Sequence, residues 1–217
     1  MLALESRIAN AERMLREDFV AMVGDLSLAD IAVRYIPPVG VEVHAEPLQS
    51  FSLCALVGEQ EEDCDPSSFV AAAYDYQIVD PPTPVKKHCA CLDTGYAMGF
   101  VFGERLAAYA AGGITYKGKL RVQQIQGGAP DSADPIGARG RRAGLRWGDT
   151  LVEGWAVIGQ RLGLDTIEIL PGEKNEWLRP KEPKRNERII RHYTTTALRC
   201  GFDRNDPTEI WRRSLVI

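Results

Sequence analysis

Residues 138–149, with the sequence ARGRRAGLRWGD, combine residue types that can bind an anion. Arginines and glycines are interleaved in this segment: Arg139, Arg141, Arg142 and Arg146 lie among Gly140, Gly144 and Gly148. The segment leads into an amphipathic run, so it should open a helix whose free N–H groups and positive dipole end bind phosphate. Glycines let the backbone approach a bound anion closely, and arginines donate charge-assisted hydrogen bonds to it. A phosphate-binding turn is one interpretation. A solvated basic loop is the other, since Asp149 competes for the same N–H groups.

Hydrophobic spacing predicts the elements around this loop. Leu120–Gln126 ends at a Gly-Gly pair and predicts a strand. Thr150–Gly163 predicts a helix, because its apolar residues form one stripe and Thr150 with Glu153 matches a capping box. The following segments predict a buried strand at 165–171, a polar, basic insertion at 172–188, a helix at 187–200, and a hairpin over 202–204 and 210–216. A strand, loop, helix and strand in this order indicate a βαβ-type crossover and a mixed α/β fold class.

In the first half of the chain, the sequence patterns that predict helices and strands are weaker than in the second half. Residues 3–23 show apolar residues at spacings of three and four, which predicts an amphipathic helix. The remaining segments predict strands at 41–43 and 51–57, a helix through Phe69–Tyr76, a proline-rich loop at 79–85, and a helix over Tyr96–Ala110 that Gly112 and Gly113 end. No internal repeat is found.

The charge is distributed unevenly between the two halves. The chain has 217 residues and a net charge of −4, which argues against general nucleic-acid binding. Residues 1–119 carry 9 Lys/Arg and 17 Asp/Glu, a net −8, whereas residues 120–217 carry 17 and 13, a net +4. A site for a phosphate-bearing ligand is therefore expected in the second half.

Composition places the chain among ordinary globular proteins. It is 45% hydrophobic and 26% charged. No stretch approaches the roughly 20 apolar residues that a membrane-spanning helix needs. The five cysteines are an odd number, and they are interpreted as reduced thiols. These observations lead us to expect a cytoplasmic protein that does not act at a membrane.

The second half resembles the GNAT (GCN5-related) N-acyltransferases. That family shows a strand, an [R/Q]-x-x-G-x-[G/A] loop that opens a helix, a second strand, often an Asn, and a helix that ends in a Gly-Phe pair. The matching pieces are Leu120–Gln126, the loop Arg141-Arg142-Ala143-Gly144-Leu145-Arg146, Thr150–Gly163, Thr166–Leu170, Asn175 and Ala197–Phe202. The resemblance covers residues 120–217. It implies a single domain over residues 1–217, with a mixed, mostly antiparallel sheet flanked by helices.

The resemblance also implies a co-substrate and its binding residues. Acetyl-CoA or another acyl-CoA would donate an acyl group to an amine. The cofactor-binding residues that it implies are Arg141, Arg142, Ala143, Gly144, Arg146, Gly148 and Thr150 around the pyrophosphate, Ile125 and Gln126 beside the pantetheine arm, and Asn175. The arm would enter a gap between the strands at 120–126 and 166–170.

Three departures from the family pattern bear on this assignment. The last small residue of the loop motif falls on Arg146, so Gly148 takes that role or the motif is degenerate. Residues 129–138 are an insertion before the loop. The tyrosine that protonates the leaving thiolate in many members corresponds to Ala197 here, and Tyr193 lies one turn earlier on the same helix face. Tyr193 is therefore the candidate catalytic residue, with core or rim packing as the alternative.

Other candidate residues have weaker patterns. Glu168 lies on a predicted strand and could act as the base, although a strand carboxylate usually faces solvent. His88, Cys89 and Cys91 could bind zinc, but their spacing is poor and buried thiols are the commoner case, so no metal is expected. His192 could assist an acyl or phosphate site, or it could simply pack. The basic stretch 174–191 could bind nucleic acid or the 3′-phosphate of CoA, or remain a solvated loop.

Three functions are compatible with these residues. The first is a GNAT-like N-acyltransferase that uses acyl-CoA and an amine whose identity the sequence does not show. The second is a non-catalytic GNAT-fold protein that binds a ligand or partner. The third is a nucleic-acid-associated factor, which the acidic first half disfavours because it repels phosphates.

Overall fold

The structure is a computed structural model that describes residues 2–28, 31, 51–59, 75–79, 95–102, 105–127, 146–175, 178–206 and 209–215. Its elements in chain order are α1 (Leu2–Gly24), β1 (Phe51–Glu59), β2 (Asp75–Val79), β3 (Tyr96–Phe102), β4 (Arg105–Ile114), β5 (Leu120–Gly127), α2 (Trp147–Arg161), β6 (Thr166–Ile169), a 3₁₀ helix (Gly172–Lys174), α3 (Pro183–Arg199) and β7 (Trp211–Ser214). Within these described ranges, no helix is both long and apolar enough to cross a membrane.

The strands form one seven-stranded sheet in the order β2-β1-β3-β4-β5-β6-β7. All neighbouring strands are antiparallel except β5 and β6, which are parallel and are joined through α2. Strands from both halves of the chain therefore share one sheet. The predicted fold class is confirmed in its architecture: it is α/β, with a mixed, mostly antiparallel sheet flanked by helices.

One face of the sheet packs against α1 and α2. The apolar stripe of α1 that the sequence predicts is buried from Ala11 to Met22, whereas Leu4 at its start is exposed. Phe19 stacks on Trp155 of α2 with ring centroids 5.4 Å apart. The Trp155 indole donates a hydrogen bond to the Ala110 carbonyl of β4 over 2.9 Å. Burying an aromatic ring of this size contributes on the order of 2–3 kcal/mol. These contacts fix the position of α2 over the sheet, and they therefore also fix the position of its N-terminal turn.

The opposite face carries a second buried cluster. Its members are Cys54, Leu56, Ala97, Val101, Leu106, Tyr109 and Ala111. Burial raises the pKa of the Cys54 thiol to about 12, so Cys54 packs as a small neutral hydrophobe. Because both faces are buried here, the central strands have apolar residues at consecutive positions rather than at alternate ones.

The predicted helix over Tyr96–Ala110 is wrong. These residues form β3 and most of β4, and Gly112 and Gly113 lie inside β4 instead of ending a helix. Alanine favours helices in isolation, but burial on two faces of a sheet overrides that preference. A Cβ atom on Gly112 would lie 3.2 Å from the Trp155 ring, so a small residue allows α2 to pack closely on β4.

Two further elements predicted for residues 1–119 fall partly or wholly outside the described residues. The helix predicted through Phe69–Tyr76 is wrong at its end, because β2 begins at Asp75. The rest of that segment and the strand predicted at 41–43 lie outside the described residues. The helix predicted at 3–23 and the strand at 51–57 are confirmed as α1 and β1.

The predicted capping box at Thr150 is wrong. Helix α2 begins three residues earlier, with Arg146 as an N-cap that makes no side-chain capping bond. Glu153 instead pairs with Arg213 of β7 through both carboxylate oxygens, one of them over 2.8 Å. The strand predicted at 165–171 is confirmed as β6. The last helix begins earlier than predicted, at Pro183. In place of the predicted hairpin, the described residues show an isolated bridge between Asp203 and Arg212, and the second hairpin strand is present as β7.

Candidate functional site

A gap opens in the sheet where β5 leaves β6. The two strands pair only from Leu120 to Val122, and the last contact is a hydrogen bond from the Leu170 N–H to the Val122 carbonyl over 3.0 Å. Strand β5 continues to Gly127 paired with β4 alone. The β4–β5 register skips Gln123, which is therefore a bulge residue. A bulge bends its strand and increases the twist, which accounts for the divergence at this point.

A cavity of about 450 Å³ lies beside this unpaired part of β5. It is bounded by β5, the start of α2, the segment after the 3₁₀ helix and one side of α3. The residues that line it are Gln124, Ile125, Gln126, Gly127, Trp147, Asn175, Arg185, Arg188, Ile189, His192 and Tyr193. Its volume lies in the range typical of small-molecule sites.

The Tyr193 hydroxyl group lies at the inner wall of this cavity. It accepts a hydrogen bond from the Ile125 N–H over 2.8 Å and another from the Asn175 side-chain amide over 2.8 Å. All three residues are buried. The structure therefore brings together three of the residues that the resemblance implied. Two N–H donors on one phenolic oxygen also stabilise negative charge on that oxygen.

Local geometry explains how Tyr193 reaches β5. The chain leaves β6 through the 3₁₀ helix Gly172–Lys174, which places Asn175 at the cavity. Helix α3 crosses directly over Gly172, where an added Cβ atom would lie 2.6 Å from the Ile190 Cα atom. A larger residue at Gly172 would push α3 outward and separate Tyr193 from Ile125.

The start of α2 borders the cavity from the other side. Its first intrahelical hydrogen bond joins the Thr150 N–H to the Arg146 carbonyl, so the N–H groups before Thr150 are the helix-end donors. Gly148 packs against α3: an added Cβ atom there would lie 3.1 Å from both His192 and Thr196. Arg146 is exposed, and Gly148 and Thr150 are buried; none of the three lines the cavity.

A carboxylate already occupies the start of α2. Asp149 is buried, and burial raises its pKa to about 6, against the opposing effects of Arg199, Arg146, the Thr196 hydroxyl and its own backbone N–H. The competition for helix-end donors that the sequence indicates is therefore present. A phosphate at this turn would have to share its donors with Asp149.

His192 is neutral at physiological pH. Burial and the nearby charge of Arg199 lower its pKa to about 4. Its ring lies against Trp147 with centroids 4.6 Å apart. An uncharged imidazole can offer one donor and one acceptor to a ligand.

Sequence reasoning missed Gln124 and the two arginines of the cavity wall. Arg185 and Arg188 lie on the first turns of α3, inside the basic stretch 174–191 that supplied the only signal for them. Gln124 is 1% exposed and donates to the Gln126 amide oxygen over 2.8 Å. Gln126 also accepts a 2.6 Å hydrogen bond from the Tyr109 hydroxyl. The Gln126 side chain is therefore held on the face of the sheet that carries Tyr109 and Cys54, opposite α1 and α2.

Several predicted residues lie outside the described part of the chain. They are Arg139, Arg141, Arg142, Ala143 and Gly144 of the loop, and His88, Cys89 and Cys91 of the possible zinc cluster. In the part of the chain that is described, no group of three His, Cys, Asp or Glu residues is placed to hold a metal ion.

Glu168 does not fit the role of a base. It lies on the paired part of β6, and it contacts Arg121 at 2.7 Å, Arg212 at 3.2 Å and Lys119 at 3.4 Å. Burial alone would raise its pKa, but hydrogen bonds from Arg121 and Arg212 outweigh burial and hold the pKa below its ordinary value. A carboxylate bound to three cations and outside the cavity lining is a poor proton acceptor for a substrate.

Comparison with known proteins does not assign this chain to a family. No known family profile matches the chain, and no curated protein is significantly similar to it in sequence. The crystal structure of Ard1 from Thermoplasma volcanium aligns with a TM-score of 0.33 and 11% identity over 56% of this chain and 71% of that chain. The class that the sheet defines is an α/β protein with a mixed, mostly antiparallel sheet.

Proposed function

We propose that this chain is a GNAT-like N-acyltransferase that moves an acetyl or other acyl group from acyl-CoA to an amine. The observation that supports the proposal most is the position of the Tyr193 hydroxyl, 2.8 Å from the Ile125 nitrogen, in a cavity that opens where β5 leaves β6. The resemblance of residues 120–217 to this family implies a thioester at the same place.

In the proposed reaction the amine nitrogen attacks the thioester carbonyl carbon. A C–N bond forms, the C–S bond breaks, and the thiolate leaves with a proton from the Tyr193 hydroxyl. The Ile125 N–H and the Asn175 amide stabilise the phenolate that remains. The proton released by the amine passes to a base, and the geometry of Glu168 argues against that residue.

The proposed acyl-CoA site combines described and undescribed parts of the chain. The turn that includes Arg146, Gly148 and Thr150, together with residues 141–144, would bind the pyrophosphate, as the resemblance implies. The pantetheine arm would lie along Ile125 and Gln126 on the unpaired part of β5. Arg185 and Arg188 line the cavity, and Arg188 adds positive charge there, which favours a co-substrate that carries phosphates, while Arg185 is paired with Glu182.

A non-catalytic GNAT-fold binding protein is the second candidate. Two observations favour it: Asp149 occupies the helix end that a phosphate would use, and the hydroxyl of Tyr193 already bonds to structural groups. Such a protein would bind acyl-CoA or a related ligand without transferring the acyl group.

Thiol release from acetyl-CoA across a panel of amines distinguishes the two candidates. We expect amine-dependent release by the parent protein. Tyr193→Phe should lower kcat roughly a hundredfold, the usual scale for loss of a general acid, while acetyl-CoA affinity changes little. Tyr116→Phe is the matched control, because Tyr116 is 82% exposed. Binding without release by the parent would favour the binding protein, and an unchanged kcat for a folded Tyr193→Phe would remove Tyr193 from the reaction.

A further inference from the structure

The described residues that line the cavity include two arginines and no aspartate or glutamate. Arg185 is paired with Glu182 over 3.5 Å. Arg188 is exposed, and its guanidinium group makes no ion pair or hydrogen bond within the described part of the chain. His192 is uncharged, for the reasons given above. The described wall therefore carries net positive charge, which repels a ligand that brings further positive charge.

Gln126 adds a hydrogen-bond donor to the same cavity. Its side-chain oxygen accepts from the Tyr109 hydroxyl over 2.6 Å and from the Gln124 amide over 2.8 Å. Its NH2 group makes no hydrogen bond within the described part of the chain and keeps accessible surface. Turning both amides over would leave the buried NH2 group of Gln124 without an acceptor, which is rarer in proteins than a buried carbonyl without a donor. The Gln126 NH2 group is therefore a fixed donor, and the two bonds to its oxygen strengthen it.

A positive wall with a fixed donor suits an anionic group. Carboxylate and phosphate oxygens accept several hydrogen bonds at once and pair well with a guanidinium group. In the proposed reaction the acceptor amine must reach the thioester beside the Tyr193 hydroxyl. Arg188 precedes Tyr193 by five residues, about 7.5 Å along the axis of α3. A molecule whose amine lies near Tyr193 can therefore place its other end at Arg188.

We propose that the acceptor amine carries an anionic group, a carboxylate or a phosphate, at the end of a short chain, and that Arg188 and Gln126 bind this group. The inference rests on the proposed function and adds to it the class of acceptor. Polyamines and basic peptides are poor acceptors on this account, because none of the described lining residues offers a carboxylate to a second cation. Arg188 also attracts the phosphates of acyl-CoA at long range, so the test must separate the two substrates.

Amine-dependent thiol release from acetyl-CoA, measured with acceptors of matched length, tests this class. The probes are γ-aminobutyrate, which carries a carboxylate, γ-aminobutyramide, which is uncharged at that end, and putrescine, which carries a second cation. A further pair, aminopropyl phosphate and aminopropanol, shows whether a phosphate serves in place of the carboxylate. Each kcat/KM is expressed per concentration of unprotonated amine, so that differences in amine basicity do not enter the comparison.

We expect the parent to use an anionic acceptor about tenfold better than its uncharged partner, the scale of one hydrogen bond to a charged group, and to use putrescine least well. Arg188→Gln should abolish this preference, and Arg188→Lys should keep part of it. Arg191→Gln is the matched control, because Arg191 is exposed on the same helix but does not line the cavity. Gln126→Glu keeps one oxygen for Tyr109 and Gln124 and replaces the NH2 group by a second oxygen, so it should invert the preference.

A parent protein that prefers putrescine or the uncharged amines would overturn the inference and leave the proposed function standing. Equal losses in Arg188→Gln and Arg191→Gln would overturn the assignment to Arg188, because they would reflect the overall charge of α3. Calorimetric titration with CoA separates the two substrates. A weaker CoA affinity of Arg188→Gln with an unchanged preference among amines would assign Arg188 to the co-substrate and overturn the inference. A parent that releases no thiol with any amine would overturn the proposed function, and this inference with it.

Discussion

Among single residues, Tyr193 joins three parts of the cavity wall through its hydroxyl group. It accepts from the Ile125 N–H of β5 and from the Asn175 amide, so one oxygen links a strand, the segment after the 3₁₀ helix, and α3. The Ile125 N–H would otherwise be an unpaired donor at the point where β6 has diverged from β5. Tyr193 therefore has a structural role whether or not it also gives a proton to a thiolate.

Asp149 gives a prediction about pH. Its pKa is raised from 3.8 to about 6, so between those values the folded state holds more protons than the unfolded chain. The contribution of Asp149 to the free energy of unfolding therefore falls as pH rises through that window. Asp149→Asn lacks this group, so its free energy of unfolding relative to that of the parent should rise by roughly 2.5 kcal/mol between pH 4 and pH 8.

Urea unfolding of the parent and of Asp149→Asn at pH 4 and pH 8 measures this difference. Other titrating groups, His192 among them, cancel because they are present in both proteins. A difference in stability that stays constant with pH, or one that falls with pH, would show that the Asp149 carboxyl group is not desolvated as the structure indicates.

Among the helices and strands, those from β5 to β6 could be predicted from the sequence, whereas the β3–β4 hairpin could not. The apolar stripe of α2 is visible at Leu151, Trp155 and Ile158 because it recurs at helical spacing. The Ala-rich run of β4 has no alternation, since both of its faces are buried, and alanine's helix propensity then misleads. The bulge at Gln123 is likewise not readable, because nothing in the residue type distinguishes it from Gln124.

The pair between Glu153 and Arg213 joins α2 to β7, and its loss should separate them. Glu153 is buried, and the pair is bidentate. Glu153→Gln leaves the Arg213 guanidinium without its carboxylate and should lower the free energy of unfolding by at least about 2 kcal/mol. The comparison variant is Glu17→Gln, because Glu17 pairs with Arg13 on the exposed side of α1 and should lose less than about 0.5 kcal/mol.

Urea unfolding at pH 7.5 gives both values. Similar small losses for the two glutamate variants would mean that the Glu153–Arg213 pair is no stronger than a surface pair and does not fix the position of α2.

At the scale of the whole molecule, the two halves that differ in charge contribute strands to one sheet. The residues that line the cavity all lie between 124 and 193, in the half of the chain with a net positive charge. Only the family resemblance predicted that Ile125, Asn175 and Tyr193 belong to one site, since no local pattern relates residues so far apart in the chain. The contributions of Gln124, Arg185 and Arg188 became visible only through the geometry, because they depend on the bulge and on the crossing of α3 over Gly172.

The central claim is that an acyl-CoA binds the folded chain in the gap beside β5. A thermal-shift titration with acetyl-CoA measures this directly, since a ligand that binds only the folded state stabilises it. At a hundredfold excess over Kd the stabilisation is about 2.7 kcal/mol, which for a chain of this size corresponds to a rise in Tm of roughly 5–10 °C. We predict a saturable rise of this order with acetyl-CoA and a smaller one with adenosine 3′,5′-bisphosphate. An unchanged Tm at millimolar acetyl-CoA would contradict the claim.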